Sequence, residues 1–160
     1  MLRCPTKPSP DFDFLMGIWS CHHRYLARRL KGCHDWLEFE GTCAARKILN
    51  GFGNIDEGDI PLPGDRYRAM TIRTWDPGRD RWSIQWFDSR RPGRVFAPMV
   101  GRFNKGVGTF YGEEECGGRP VRARFLWSRI MEGSARWEQA FSIDNGASWE
   151  TNWIMDFTRM

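Results

Sequence analysis

Lysine is scarce in this chain: only Lys7, Lys31, Lys47 and Lys105 interrupt a basic complement that is otherwise arginine. That removes Schiff-base chemistry from most candidate sites. No window approaches the roughly 18 consecutive apolar residues of a membrane-spanning helix, so no membrane partner is expected. The N-terminal stretch MLRCPTKPSPDFDF has no apolar h-region, and the five cysteines (Cys4, Cys21, Cys33, Cys43 and Cys116) include no CxxC pair. Reduced thiols in a cytoplasmic protein are predicted. No GxSxG elbow supports a nucleophilic triad. Gly51-Phe-Gly-Asn-Ile-Asp-Glu-Gly58 lacks the third glycine and the helix of a dinucleotide fingerprint, and it lacks the alternating oxygen ligands of a calcium loop.

What is present is aromatic and basic. The 160 residues include 9 Trp, 11 Phe and 3 Tyr and carry a formal net charge of +4. That length suits one domain, and aromatics favour strands. The arginines alternate with acids along the whole chain instead of forming one block, so no nucleic-acid partner is expected. Arginine stacks on rings and grips carboxylates with two donors, so such a chain either lines a cavity and fixes an anionic group in it, or sets its arginines on a solvated outer wall.

Residues 1–10, with three prolines and two basic residues, read as a flexible arm, and residues 11–160 as a single domain. Asp11 to Met16 reads as a short helical turn capped by Asp11 and stopped at Gly17. Strands are then predicted at Ile18–Leu30, Trp36–Leu49, Arg66–Trp75, Arg81–Asp88, Val95–Phe103, Val107–Glu114, Val121–Met131, Ala135–Ile143 and Trp149–Arg159, each closed by turn chemistry. In Asp76-Pro-Gly-Arg-Asp80 the proline sets φ for a turn and the glycine is expected to supply a positive φ. Gly51–Gly58 is read as a glycine-punctuated stretch between the second strand and a loop at Asp59–Asp65.

Alternation places Trp82, Ile84 and Trp86 on one face, and likewise Val121, Ala123, Phe125 and Trp127; Trp137, Gln139, Phe141 and Ile143; and Trp149, Trp153, Met155 and Phe157. Arg81, Arg122, Arg124, Arg136, Glu138, Glu150 and Asp156 fall on the wet face. About nine or ten antiparallel strands without crossover helices leave long edges unless the sheet closes, so an all-β, up-and-down barrel is predicted, with a two-sheet sandwich as the alternative. An interior of that size holds side chains and one small ligand.

Gly17-Ile-Trp19, opening the first strand after a helical turn, resembles the Gly-x-Trp signature of lipocalins and the wider calycin superfamily. Arg159 stands where that superfamily often packs an arginine over the signature tryptophan. Asp11–Trp19, Trp36–Gly41, Gly51–Asp56 and Phe141–Trp153 are similar to a family of small bacterial calycin-like proteins catalogued as a domain of unknown function. The resemblance implies a calycin-like barrel with a central cavity and no assigned activity. Nitrobindins, another calycin-like group, bind haem through a late histidine, whereas the last histidine here is His34; no cofactor is expected.

Three clusters carry candidate chemistry. Cys21, His22, His23 and Cys43 include zinc-ligand types, but adjacent histidines on a strand point to opposite faces, and Cys33 and His34 at the hairpin tip lie about 30 Å away at roughly 3.3 Å per residue. No metal site is assigned. If Trp19 points inward, so do Cys21, His23 and Tyr25, while His22, Arg24 and Leu26 point out. His23 and Tyr25 are then either an acid–base and hydrogen-bonding pair or satisfied wall residues. Asn54 and Asp56 share a parity and are expected at the barrel mouth, orienting a polar ligand group. Arg73 and Arg124 are candidate anion contacts, and Trp19, Trp86, Trp127 and Trp153 candidate apolar walls. The expected function is binding of one small, largely hydrophobic molecule, carboxylated or not. The alternative is a cyclase, isomerase or lyase using His23, Tyr25 or Asp56 as acid or base. A homodimer is expected if an edge strand pairs across a two-fold axis.

Overall fold

The computed structural model describes residues 7–160. Residues 1–6 of the expected arm, with Cys4, lie outside the described residues. Ten antiparallel strands follow: β1 (Gly17–Leu26), β2 (Trp36–Ile48), β3 (Gly53–Leu62), β4 (Asp65–Asp76), β5 (Arg81–Asp88), β6 (Met99–Asn104), β7 (Val107–Cys116), β8 (Arg119–Met131), β9 (Ser134–Ser142) and β10 (Glu150–Arg159). Each pairs with its sequence neighbours, and β1 pairs with β10 from Trp19↔Arg159 to Tyr25↔Trp153. The sheet is therefore a closed up-and-down barrel, compatible with a calycin-like fold; its thinnest seam is between β5 and β6, joined only over Trp82–Ile84, so that Gln85–Asp88 of β5 and Gly112–Cys116 of β7 each pair on one side alone.

The strand that the loop reading missed is β3. Gly58, Asp59 and Pro61 are poor strand formers, yet β2 and β4 offer a ladder on both sides, from Thr42↔Asp59 and from Gly53↔Thr74. Close approach of backbones explains Gly53, where a Cβ would meet the Arg73 carbonyl at 2.8 Å. Conversely β6 begins only at Met99 rather than Val95; Pro98, inside the predicted run, has no N–H to give to a ladder.

Two turn details also differ. Asp76 Oδ1 accepts the Gly78 and Arg79 amides at 3.0 and 3.2 Å, and the positive φ falls on Asp80 (50°), not on Gly78. The N-terminal turn is a 3₁₀ turn over Asp13–Leu15 without a side-chain cap. Asp11 instead accepts the Trp82 indole N–H at 3.0 Å.

One end of the barrel is plugged. Phe12 sits edge-on to Trp82 and Phe103 at ring distances of 5.0 and 4.9 Å. Trp19, fully buried, donates to the Leu15 carbonyl at 2.7 Å. Arg159 lies 4.2 Å over the Trp19 ring and donates to the Met16 and Phe14 carbonyls at 2.8 Å each and to Glu132 at 3.1 Å. The last strand thus fastens the turn that caps the first. Gly17 lets this happen: its φ is +121°, and a Cβ there would stand 2.7 Å from Arg159 Nη1. The other end, where Tyr25, Tyr67, Trp86 and Trp153 stand, is open.

Trp149 leaves the face it was predicted to share with Trp153. A bulge at Asn152 shifts the β10 register between Thr151 and Trp153, which turns Trp149 outward against Tyr111 and Arg124. Leu26, expected outside, is buried at the open-end terminus of β1.

Gly17→Ala should lose about 1–3 kcal/mol of stability, the cost of a strained φ, with an added clash on Arg159. Gly133→Ala, in open space, should change little. Urea denaturation of both variants tests this, and an unchanged midpoint for Gly17→Ala would contradict it.

Candidate functional site

Inward side chains divide the barrel into two chambers. The outer one, about 530 Å³ at the open end, is walled by Tyr25, Tyr67, Trp86, Phe125, Trp137 and Trp153. The inner one, about 50 Å³, lies deeper, among His23, Cys43, Asp56, Arg73, Trp127 and Met155. Trp86 and Trp137 belong to both walls, and Trp153 packs edge-on to each at 5.9 and 5.3 Å. These three indoles separate mouth from interior.

The inner chamber carries a buried ion pair. Arg73 Nη1 donates to Asp56 Oδ2 at 2.6 Å and to Asn54 Oδ1 at 3.0 Å, and its guanidinium lies 5.1 Å from the Phe12 ring centre. Asn54 and Asp56 therefore sit toward the plugged end, not at the mouth, because β3 runs from plug to mouth and they are near its start. Desolvation of two charges is repaid only by such close pairing.

His23 is buried. Its ring stacks on Phe39 at 4.6 Å, and its Nδ1 accepts the Trp153 indole N–H at 3.1 Å, which puts the proton of the neutral ring on Nε2. Burial, with a smaller contribution from His22, pulls its pKa down to about 4. His22 points outward between Glu38 and Glu40, at 3.2 and 2.5 Å, and the Glu40 hydrogen bond raises its pKa. Cys21 and Cys43, both buried, have thiol pKa values pushed up by desolvation and, less so, by Asp56, so they are inert thiols rather than nucleophiles. Among the described residues no three metal-ligating side chains converge.

At the mouth, charge is arranged differently. Arg90, from the loop after β5, lies 3.6 Å over Tyr67, grips Asp88 through Nε and Nη2 at 3.2 and 3.0 Å, and reaches Asp65 at 2.9 Å. Burial opposes the Asp88 charge, but the Arg90 and Trp86 hydrogen bonds outweigh it and hold the carboxyl below its usual range. Arg94 stands 3.7 Å from Glu114 and over Phe96. Arg29, from the connection after β1, folds back over Tyr25 at 4.2 Å and Phe141 at 5.4 Å. Its Nε and Nη2 are buried and meet no acceptor among the described residues. Desolvation pulls its pKa below the usual arginine value.

Of the residues expected from sequence, Tyr25, Trp86 and Trp153 line the outer chamber, and His23, Asp56, Arg73 and Trp127 the inner one. Asn54 supports Arg73 from behind, and Trp19 belongs to the plug, outside both linings. Arg124 is on the outer wall, its guanidinium 4.6 Å over Trp149, because inward parity on β8 belongs to Ala123 and Phe125. His23, Tyr25 and Asp56 form no joint acid–base constellation: Trp153 stands between the first two, and Asp56 is held by Arg73.

Sequence reasoning missed Tyr67, Arg90, Gln139 and Arg29. Tyr67 was detectable, since it shares inward parity with Arg73 on β4. Gln139, which donates to Asn152 at 2.8 Å, stood on a face recognised as inward. Arg29 shared the inward parity of Trp19, His23 and Tyr25 in the run read as a strand to Leu30, but β1 ends at Leu26, so its place at the chamber comes from the path of the connection and not from the period of two.

Removing one member of the inner pair, as in Arg73→Met, should lower stability by roughly 3–5 kcal/mol by stranding Asp56. The double variant Arg73→Met/Asp56→Leu should recover much of that loss in the same chemical denaturation experiment; an additive pair of losses would be the contrary result. His23 binds its proton in the unfolded chain near pH 6.5 but in the folded chain only near pH 4. Stability contributed by the neutral ring is therefore full above pH 6.5 and falls as pH drops from 6.5 to 4, by on the order of 3 kcal/mol. The raised pKa of exposed His22 acts in the opposite sense and more weakly. His23→Gln should flatten the measured stability–pH slope in that window; an unchanged slope would assign it to other groups.

Compared with known proteins, the chain matches no family model and no curated protein, so its site is read from its own geometry.

Proposed function

We propose that the barrel binds one small, largely apolar molecule in its outer chamber. The observation that carries this is the contrast between the two ends: side chains fill and plug one, while the other keeps an aromatic-walled space of about 530 Å³, within the roughly 300–1,000 Å³ of small-molecule pockets. Tyr25, Tyr67, Trp86 and Trp153 supply flat apolar walls, and charged side chains including Arg29, Arg90, Asp88 and Glu114 line the chamber beside them. An acid–base enzyme acting on a hydrophobic metabolite has less support. Burial keeps His23 neutral behind the Trp belt, and Asp56 is tied to Arg73.

The test is titration with N-phenyl-1-naphthylamine, an uncharged apolar fluorophore, with native mass spectrometry for stoichiometry. One molecule should bind per chain. Ala123→Phe, which extends a side chain into the outer chamber, should weaken binding by about tenfold or more while preserving the folded circular-dichroism spectrum. Absence of saturable binding to the native protein, or full binding to Ala123→Phe, would overturn the reading.

A further inference from the structure

Several arginines of this protein already bind carboxylates, and they use one edge. Arg136 holds Asp156 through Nε and Nη2 at 2.7 and 2.8 Å. Arg66 holds Asp59 through the same two nitrogens at 3.3 and 2.6 Å. Arg90 does so with Asp88. The parallel N–H pair on that edge matches the two oxygens of a carboxylate. In Arg29 the same two nitrogens are buried and unmatched among the described residues. A charged donor pair stripped of water and left without an acceptor is costly. The Tyr25 and Phe141 rings, 4.2 and 5.4 Å from it, place the guanidinium at the outer-chamber wall, and Glu150 anchors the adjacent Leu30 amide at 2.7 Å. Of the acids that line the chamber, Asp65 and Asp88 are engaged by Arg90 and Glu114 by Arg94, while the exposed Glu115 makes no ion pair with Arg29.

We infer that Arg29 is the anchor for a carboxylate on the bound molecule, its Nε–Nη2 edge, covered by neighbouring atoms in this structure, turning into the chamber to take both carboxylate oxygens while the apolar remainder lies against Tyr25, Trp86 and Trp153. This rests on the outer-chamber reading above and narrows its ligand to an amphiphilic monocarboxylate. The competing assignment is structural: Arg29 as a strap that holds its loop onto Tyr25 and Phe141. The two differ in what its loss does.

The experiment compares decanoate with decanol, the same chain with and without the anion, by isothermal titration and tryptophan quenching. The native protein should prefer decanoate by roughly ten- to a hundred-fold, the scale of charge-assisted hydrogen bonds. In Arg29→Met the preference should vanish while decanol binding persists, and without ligand the variant should melt no lower than the native protein. Arg29→Lys, which keeps the charge but not the fork, should regain only part of the preference. Equal affinity for the two probes in the native protein, a preference that survives Arg29→Met, or a lower melting temperature of that variant with both probes bound equally, would overturn the carboxylate anchor while leaving the chamber reading intact. Failure of the native protein to bind decanoate, decanol and the neutral fluorophore would overturn both.

Discussion

Pairing of β1 with β10 is the constraint from which the other features descend. Without it, ten meandering strands form an open sheet with two unpaired edges and no inside. Once the ring closes, every strand acquires an inner and an outer parity, and the aromatic residues of one parity are gathered into a single interior. The same closure brings Arg159 onto Trp19 and onto the carbonyls of the N-terminal turn, so closing the sheet and plugging one end are one event. β1 then runs from plug to mouth and delivers Trp19, Cys21, His23 and Tyr25 at successive depths.

Depth decides how the interior treats charge. Near the plug, Arg73 finds Asp56 and Asn54, a pair closed on itself that holds β3 to β4. One level up, His23 has no carboxylate partner and is neutral, donating nothing to the indole that donates to it. At the mouth, Arg90 spends its donors on Asp88 and Asp65 and secures the loop after β5. Arg29 alone among these cations has a buried donor edge with two matched nitrogens and no acceptor. Low dielectric makes each arrangement consequential: Arg73 keeps one buried nitrogen, Nε, without an acceptor among the described residues, and Arg29 keeps two.

Much of the barrel was legible along the chain. Gly17-Ile-Trp19 after a helical turn, period-two alternation in β5, β8 and β9, and turn residues between runs led to a closed all-β meander. The inward placement of His23 followed from that of Trp19. The errors arose where local signals and tertiary pairing disagree. β3 carries Gly58, Asp59 and Pro61 and still forms a strand, since two neighbouring ladders outweigh its propensity. A single extra residue at Asn152 reversed the parity of Trp149. Arg124 was a candidate anion contact although its parity put it on the wet face, and it lies on the outer wall over Trp149.

The sequence by itself determined strand number to within one, the closed topology, and the inward parity of His23, Tyr25, Trp86 and Trp153, because a period of two is a local property that holds along any strand without a bulge. Only the tertiary structure decided depth and partnership: that Asn54 and Asp56 meet Arg73 near the plug, that Trp86, Trp137 and Trp153 divide two chambers, and that Arg29 swings from a connection onto Tyr25 with its donors free. Those facts depend on register between strands far apart in sequence and on the path of a loop that has no period, and contacts of that kind exist only once the ring has closed.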